Sequence, residues 1–92
     1  MGKDVLIAAF TYIAAGGNHI YEDKTVPIRK QGFISRGGVT LGDDVWIGSH
    51  TAILDGVTVG RGAIIGAHSL VNKDLPEWAI AFGCPARVER LR

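Results

Sequence analysis

Cysteine, net charge and long apolar runs are all scarce in this 92-residue chain, and each scarcity excludes a class of protein. A single cysteine, Cys84, cannot form an internal disulfide and fits a reducing compartment, so a cytoplasmic protein is expected. A formal net charge of +1 gives no basic field of the kind that nucleic-acid binding requires. No apolar run approaches the roughly 18–20 residues that span a bilayer, and no small-residue cleavage site follows the start, so we expect neither a membrane span nor a signal peptide.

Glycine, by contrast, is abundant, at 13 of 92 residues in an otherwise aliphatic chain, which indicates many tight turns between short strands. From Leu41 the sequence divides into six hexads that each begin with Leu, Ile or Val: LGDDVW, IGSHTA, ILDGVT, VGRGAI, IGAHSL and VNKDLP. Those three residue types supply 24 of the 92 residues, so six such starts have a chance probability of about 3 in 10,000. We therefore interpret the hexad as a true internal repeat.

The composition of the hexad predicts an all-β solenoid in a single domain over residues 1–92. An aliphatic residue at every sixth position points into a narrow core, and the fifth position, which is mostly small, shares that space. Glycine at the second position of four hexads leaves room for, or makes, a sharp corner. A period of six does not stay on one face of a helix with 3.6 residues per turn, so an amphipathic helix is disfavoured.

Two earlier hexads, IAAFTY from Ile7 and IAAGGN from Ile13, are out of phase with the later six, so a loop interrupts the repeat. Residues 18–38 form this excursion, and loops of that length in compact domains are usually functional or disordered. His19 lies at its start. A histidine there could act as a general base near neutral pH, although a lone loop histidine is often only a solvated side chain.

The hexads, the GNH sequence ending at His19, the PIRKQG segment and the DDVWIGS segment together resemble the hexapeptide-repeat O-acetyltransferases, in particular the galactoside, maltose and capsule-sugar group. This resemblance implies a single-stranded left-handed parallel β-helix with three hexads in each triangular coil. It divides the chain into an early coil (4–17), a catalytic loop (18–38), hexad coils (39–76) and a short C-terminal cap (77–92). Relative to the family, the sequence looks truncated at its N-terminus.

The coil of three hexads also predicts which residues stack. Leu41 should lie under Val59, Ile47 under Ile65 and Ile53 under Val71, at about the 4.7–4.9 Å spacing of neighbouring strands.

The resemblance further implies acetyl transfer from acetyl-CoA to a hydroxyl of a sugar or another small acceptor. His19 would be the general base, Glu22 or Asp23 could orient its imidazole, and a backbone N–H at a coil corner would stabilise the oxyanion. Transfer would be direct, without an acyl-enzyme. The family also implies a homotrimer with the coenzyme in the groove between subunits, and no metal is expected.

The coenzyme contacts implied by the resemblance include two small residues that let the pantetheine arm lie against the backbone, and cations that can meet phosphates. The full set is Trp46, Ser49, Gly66, Ala67, Asn72, Lys73, Arg87 and Arg90. A purely structural interpretation remains for some of them, because Trp46 could pack against a neighbouring subunit and the arginines could simply be solvated.

Two alternatives to the acetyltransferase remain open. His50 and His68 share the fourth hexad position, three hexads apart, so they should stack on one outward face as surface or inter-subunit residues. A metal pair there would suggest an enzyme of the γ-class carbonic anhydrase type, although zinc would want a third ligand. The other alternative is a catalytically inactive, truncated β-helix module kept for assembly.

Overall fold

The chain folds into short strands separated by turns, and the computed structural model describes residues 1–14, 18–20 and 22–92, with the backbone alone for Asn18 and His19. The strands are β1 (Leu6–Ile7), β2 (Tyr12–Ile13), β3 (Asn18–His19), β4 (Phe33–Ile34), β5 (Thr40–Leu41), β6 (Trp46–Ile47), β7 (Ala52–Ile53), β8 (Thr58–Val59), β9 (Ile64–Ile65), β10 (Leu70–Val71), β11 (Ala79–Gly83) and β12 (Ala86–Leu91). A 3₁₀ turn covers Ile28–Lys30. Within the described residues, no helix is long and apolar enough to cross a membrane.

The strands form three parallel stacks, as expected for a parallel β-helix. One stack contains β1, β6, β9 and β11, a second contains β2, β7 and β10, and the third pairs β5 with β8. Leu41 lies opposite Val59, Ile47 opposite Ile65 and Ile53 opposite Val71. The partners in each pair are three hexads apart along the chain, which confirms the predicted stacking of three hexads in one coil.

The break in phase between the early and late hexads is an insertion into one coil. Ile13 pairs with Ile53, whereas Ile53 pairs with Val71, so the sequence separation in the first pair is more than twice that in the second. The extra chain lies between β2 and β5. This inserted segment is not wholly irregular, because within it β3 and β4 form an antiparallel pair with the 3₁₀ turn between them.

The core is a narrow column filled by the first and fifth hexad positions. The six first-position residues are all buried, and so are the six fifth-position residues, as the repeat predicts. Burial of each aliphatic side chain contributes roughly 1.5–3 kcal/mol. The hydroxyls of Thr51 and Ser69 share this core because each donates to the carbonyl oxygen of Gly66, at 3.2 and 2.7 Å.

The corners of the coils depend on left-handed backbone at the fourth hexad position. Five of the six hexads have a residue there with φ between 56° and 85°: Asp44, His50, Gly56, Gly62 and His68. Left-handed backbone costs a non-glycine residue roughly 1–2 kcal/mol, so these corners must be held by the stacking of one coil on the next. Glycine at the second position has a different cause: a Cβ on Gly42, Gly48 or Gly60 would lie 2.5–2.8 Å from a backbone nitrogen of the following coil.

An antiparallel hairpin closes the described solenoid at its C-terminal side. β12 folds back along β11 after a turn that contains the cis Cys84–Pro85 bond. Because β11 already pairs with β9 on its other edge, β12 covers the edge of the stack that would otherwise be open to pairing.

Candidate functional site

His19, the predicted base, lies in β3 at the start of the excursion. Its backbone pairs with that of Phe33 in β4, and the next residue, Ile20, donates its N–H to the carbonyl oxygen of Gly32 at 2.9 Å. The side chains of Asn18 and His19 lie outside the described residues. The role of His19 therefore stays a prediction, while the pairing of its backbone is a structural fact.

The segment between β3 and β4 is organised by the side chain of Gln31. Its Nε2 donates to the carbonyl oxygens of Asp23 and Val26, at 2.9 and 2.7 Å. The Asp23 carboxylate in turn accepts from the hydroxyl and the backbone N–H of Thr25, at 2.6 and 2.8 Å. These two bonds, the hydroxyl first, lower the pKa of Asp23 below its ordinary value. The excursion thus contains its own internal hydrogen bonds. That Glu22 or Asp23 orients the imidazole of His19 stays a prediction.

The return of the excursion to the solenoid is held by Asp55, a residue that the sequence analysis did not single out. Its carboxylate accepts from the backbone N–H groups of Arg36 and Gly38, at 2.5 and 2.6 Å. The only sequence signal is an Asp-Gly pair inside a hexad, which indicates a turn but not the segment that the turn contacts.

Several predicted coenzyme residues lie along one outward row of the first stack. Trp46 pairs with Ile64, Ile64 with Ile80, and Ile80 with Arg90 on β12. Directly paired residues point to the same side of a sheet, and Trp46 is 50% exposed, so this row, the Trp46 row, faces outward. Arg87 pairs with Phe82, two residues after Ile80, and therefore lies on the same outward side.

Ser49 and Ala67 lie at the corner that follows this stack. The N–H of Gly48 donates to the carbonyl oxygen of Ile65 at 2.8 Å, and the N–H of His68 donates to that of Ser49 at 2.9 Å, so the two corners sit directly on one another. Ala67 is exposed and Gly66 is partly exposed. The backbone of Gly66 is engaged within the solenoid, because its N–H donates to the carbonyl oxygen of Ala81 at 2.8 Å and its own carbonyl oxygen accepts from Thr51 and Ser69. The structure thus brings Ser49, Gly66 and Ala67 next to the Trp46 row.

Asn72 and Lys73 follow β10, on the second stack, and both are exposed. They do not belong to the Trp46 row. The predicted coenzyme set therefore extends from the face of the first stack to the corners that follow the first and second stacks.

A surface depression lies beside Trp46, with a volume of about 310 Å³. It is lined by apolar residues, among them Trp46 and Ile64, and by the charged residues Asp4, Asp44 and Arg92. Arg92 approaches Asp44 at 3.6 Å and donates to the carbonyl oxygen of Gly62 at 2.9 Å. The predicted arginines, Arg87 and Arg90, do not line this depression.

The two outward histidines stack as predicted. The rings of His50 and His68 have centroids 4.8 Å apart and planes inclined by 4°, and Phe10 extends the stack below His50 at 4.9 Å. Parallel rings of this kind do not converge on one point. In the part of the chain that the structure describes, no group of three or more His, Cys, Asp or Glu residues could hold a metal ion.

Comparison with known proteins identifies the repeat. The family described as bacterial transferase hexapeptide, with six repeats, matches residues 38–73. A probable acetyltransferase of Mycobacterium tuberculosis is 40% identical over all 92 residues. This chain belongs to the hexapeptide-repeat transferases.

Two further similar proteins extend the comparison. Galactoside O-acetyltransferase of Escherichia coli is 40% identical over 90 residues, 98% of this chain. The crystal structure of a hexapeptide-repeat acetyltransferase of Vibrio cholerae with acetyl coenzyme A superposes with a TM-score of 0.79 at 32% identity, covering 98% of this chain and 47% of that one. The chain spans 30% of the mycobacterial protein and 42% of the galactoside enzyme, less than half of each.

Proposed function

We propose that this chain transfers an acetyl group from acetyl-CoA to a hydroxyl of a sugar or another small acceptor. The observation that carries the proposal is the grouping of Trp46, Ser49, Ala67 and Arg90 on one outward face and its adjoining corner. These residue types suit the parts of the coenzyme, and a related hexapeptide-repeat protein binds acetyl coenzyme A.

On the donor side, the pantetheine arm would lie against the small residues Gly66 and Ala67, where a bulky side chain would obstruct it. Arg87, Arg90 and Lys73 would meet the phosphates, because guanidinium and ammonium groups form charge-assisted hydrogen bonds with phosphate oxygens. Asn72 supplies a further polar contact.

On the acceptor side, His19 would take the proton of the acceptor hydroxyl as its oxygen attacks the thioester carbonyl carbon. A backbone N–H at a coil corner would stabilise the oxyanion of the tetrahedral intermediate. Collapse of that intermediate breaks the C–S bond, and the departing thiolate takes the proton back from the imidazolium. The products are an acetyl ester and free coenzyme A, with no acyl-enzyme.

The proposed assembly is a homotrimer of left-handed, triangular solenoids with the coenzyme in the grooves between subunits, in the reducing cytoplasm. Exposed apolar side chains on the Trp46 row support an interface between subunits. The exposed, unbridged thiol of Cys84 supports a reducing compartment. Sedimentation should give three times the mass of the chain, and a stable monomer at micromolar concentration would contradict the trimer.

The decisive test measures coenzyme binding and turnover separately. Acetyl-CoA at 100 times its Kd should stabilise the native state by about 2.7 kcal/mol and raise the melting midpoint. Thiol release should be measured with a panel of sugars as acceptors, and His19→Ala should lower kcat by about 10²- to 10⁴-fold. His50→Ala, which removes a histidine outside the excursion, should retain the activity.

Two outcomes would overturn the proposal. No thermal shift at millimolar acetyl-CoA would instead favour a non-catalytic β-helix module. Turnover that survives His19→Ala would reject His19 as the base.

A further inference from the structure

Asp55 differs from every residue at the equivalent position of the repeat. The third hexad position is occupied by Asp43, Ser49, Asp55, Arg61, Ala67 and Lys73, and within these described hexads Asp55 alone is buried, with 6% of its surface exposed. A carboxylate loses its hydration on burial and requires hydrogen-bond donors in exchange. The solenoid does not need a buried acid at this position, because the other five hexads manage without one.

The donors to Asp55 come from the excursion and not from the coils. Oδ2 accepts from the N–H of Arg36 and Oδ1 accepts from the N–H of Gly38, at 2.5 and 2.6 Å. Gly37 and Gly38 have φ of +96° and +80°, and the backbone turns here so that the N–H groups of Arg36 and Gly38 point to the carboxylate, while the N–H of Gly37 donates to the Ser35 hydroxyl at 3.3 Å. The N–H of Gly56 also donates to the carbonyl oxygen of Gly38 at 2.9 Å. The burial of Asp55 therefore depends on where the excursion rejoins the solenoid.

A short path of backbone contacts joins this anchor to His19. The residues that bind Asp55 begin two positions after β4, and β4 pairs with β3, where Phe33 lies opposite His19. At the other end of the path, Asp55 lies two residues after Ile53, which is fully buried in the core. The anchor thus ties the strand that carries His19 to the rigid part of the molecule.

We propose that Asp55 is a positioning residue for the proposed reaction: by binding the backbone of Arg36 and Gly38, its carboxylate fixes the β3–β4 pair and therefore the placement of His19. This role rests on the proposed function. It differs from a role in coenzyme binding, because the Trp46 row and the Ser49 corner are held by strand pairing and by hydrogen bonds between coils, which do not involve the carboxylate of Asp55.

The substitution Asp55→Asn is a sharp perturbation because the two N–H donors each need an acceptor. Asparagine keeps one oxygen but replaces the other with an NH₂ group, which would face a donor. Asp43→Asn is the matched control. The Asp43 carboxylate accepts the backbone N–H of Lys3 at 2.8 Å through Oδ1, so the amide oxygen of asparagine can replace it.

The experiment measures kcat and the KM for acetyl-CoA by thiol release, with the acceptor that gives the highest rate in the sugar panel. Asp55→Asn should lower kcat by about ten- to hundredfold, since small displacements of a catalytic group have effects of that size. The KM for acetyl-CoA should change by less than about twofold, because donor binding is untouched. Asp43→Asn should behave as the wild type.

A double-mutant cycle distinguishes positioning from general stability. In the His19→Ala background, Asp55→Asn should cause no further fall in the residual turnover, because the residue that it positions is gone. The amide of Ile20, which bonds to Gly32, should exchange with solvent faster in Asp55→Asn than in Asp43→Asn.

The outcomes separate this inference from the proposed function. An unchanged kcat in Asp55→Asn, or an equal fall with and without His19, would overturn the positioning role while leaving the proposed reaction intact. No thiol release by the wild type with any acceptor, or full turnover in His19→Ala, would overturn both the proposed reaction and the positioning role. If Asp55→Asn does not fold, Gly37→Ala serves instead: its Cβ meets open space, but its φ of +96° is unfavourable for alanine, so it loosens the same anchor and should lower kcat in the same way.

Discussion

The close stacking of the coils makes Gly48→Ala the most informative single substitution in the solenoid. A Cβ at this position would lie 2.6 Å from the nitrogen and 2.9 Å from the Cα of Ala67 in the next coil. Non-bonded heavy atoms are comfortable at about 3.5–4.0 Å, so the two coils would have to separate locally by about 1 Å. The φ of Gly48 is not in the left-handed region, so the effect would come from space alone.

The cost follows from what holds the coils at this distance. Two backbone hydrogen bonds cross the contact, from Gly48 to Ile65 at 2.8 Å and from His68 to Ser49 at 2.9 Å. Overpacking costs about 1–3 kcal/mol, and the strain on two hydrogen bonds adds up to about 1 kcal/mol for each. We expect a loss of about 3 kcal/mol in the free energy of unfolding, or a fall in Tm of about 12–24 °C for a chain of this size.

Urea denaturation followed by circular dichroism measures this loss, and Gly32→Ala is the control. Nothing lies within 4 Å of a Cβ at Gly32, but its φ is +84°, so alanine there should cost only the roughly 1–2 kcal/mol of left-handed backbone. A loss in Gly48→Ala that is no larger than in Gly32→Ala would refute the argument that glycine at the second hexad position is required by the approach of the next coil.

Three further results are expected. Ile53→Ala should cost about 2–5 kcal/mol in urea denaturation, because Ile53 is fully buried, whereas Ile7→Ala should cost clearly less because Ile7 is 37% exposed; equal losses would contradict the described core. Arg90→Ala should weaken coenzyme A binding by about 1.5–3 kcal/mol in calorimetry if Arg90 meets a phosphate, while Arg61→Ala, which removes a guanidinium lying over the ring of Trp78, should not. The pKa of Asp23 is lowered below its ordinary value of 3.8, so the carboxylate keeps its hydrogen bonds from Thr25 at pH 3.8 and above and loses them as the pH falls through the lower pKa of the folded state. The Thr25 amide resonance should therefore titrate below pH 3.8.

The solenoid was predictable because the register of its strands is determined by a short repeat within the sequence. Each hexad repeats the same inward aliphatic residue, so the pairings of Leu41 with Val59 and of Ile53 with Val71 follow from counting along the chain. The stacking of His50 on His68 follows in the same way, since equivalent positions three hexads apart must lie above one another.

The excursion was predictable only as an interruption. The β3–β4 pair and the closure by Gln31 depend on hydrogen bonds between residues that share no period, and no local pattern specifies them. Asp55 is the clearest case, because its sequence context is that of an ordinary exposed turn, and its burial arises from a segment that comes well before it in the chain. The sequence likewise predicted a C-terminal cap but not the antiparallel pairing of β11 with β12 that forms it.

The insertion between β2 and β5 leaves and rejoins the solenoid without shifting any stack. Ile7 and Ile13 still lie opposite Ile47 and Ile53, as though the insertion were not there. Doubling the length of such a loop costs only about 0.6 kcal/mol in closure entropy. A one-residue shift within a paired strand such as β6, in contrast, would exchange its inward and outward side chains. The length of the insertion that contains His19 can therefore change while the coils beside it keep their register. In the proposed reaction, this would let acceptor preference diverge without disturbing the binding of acetyl-CoA.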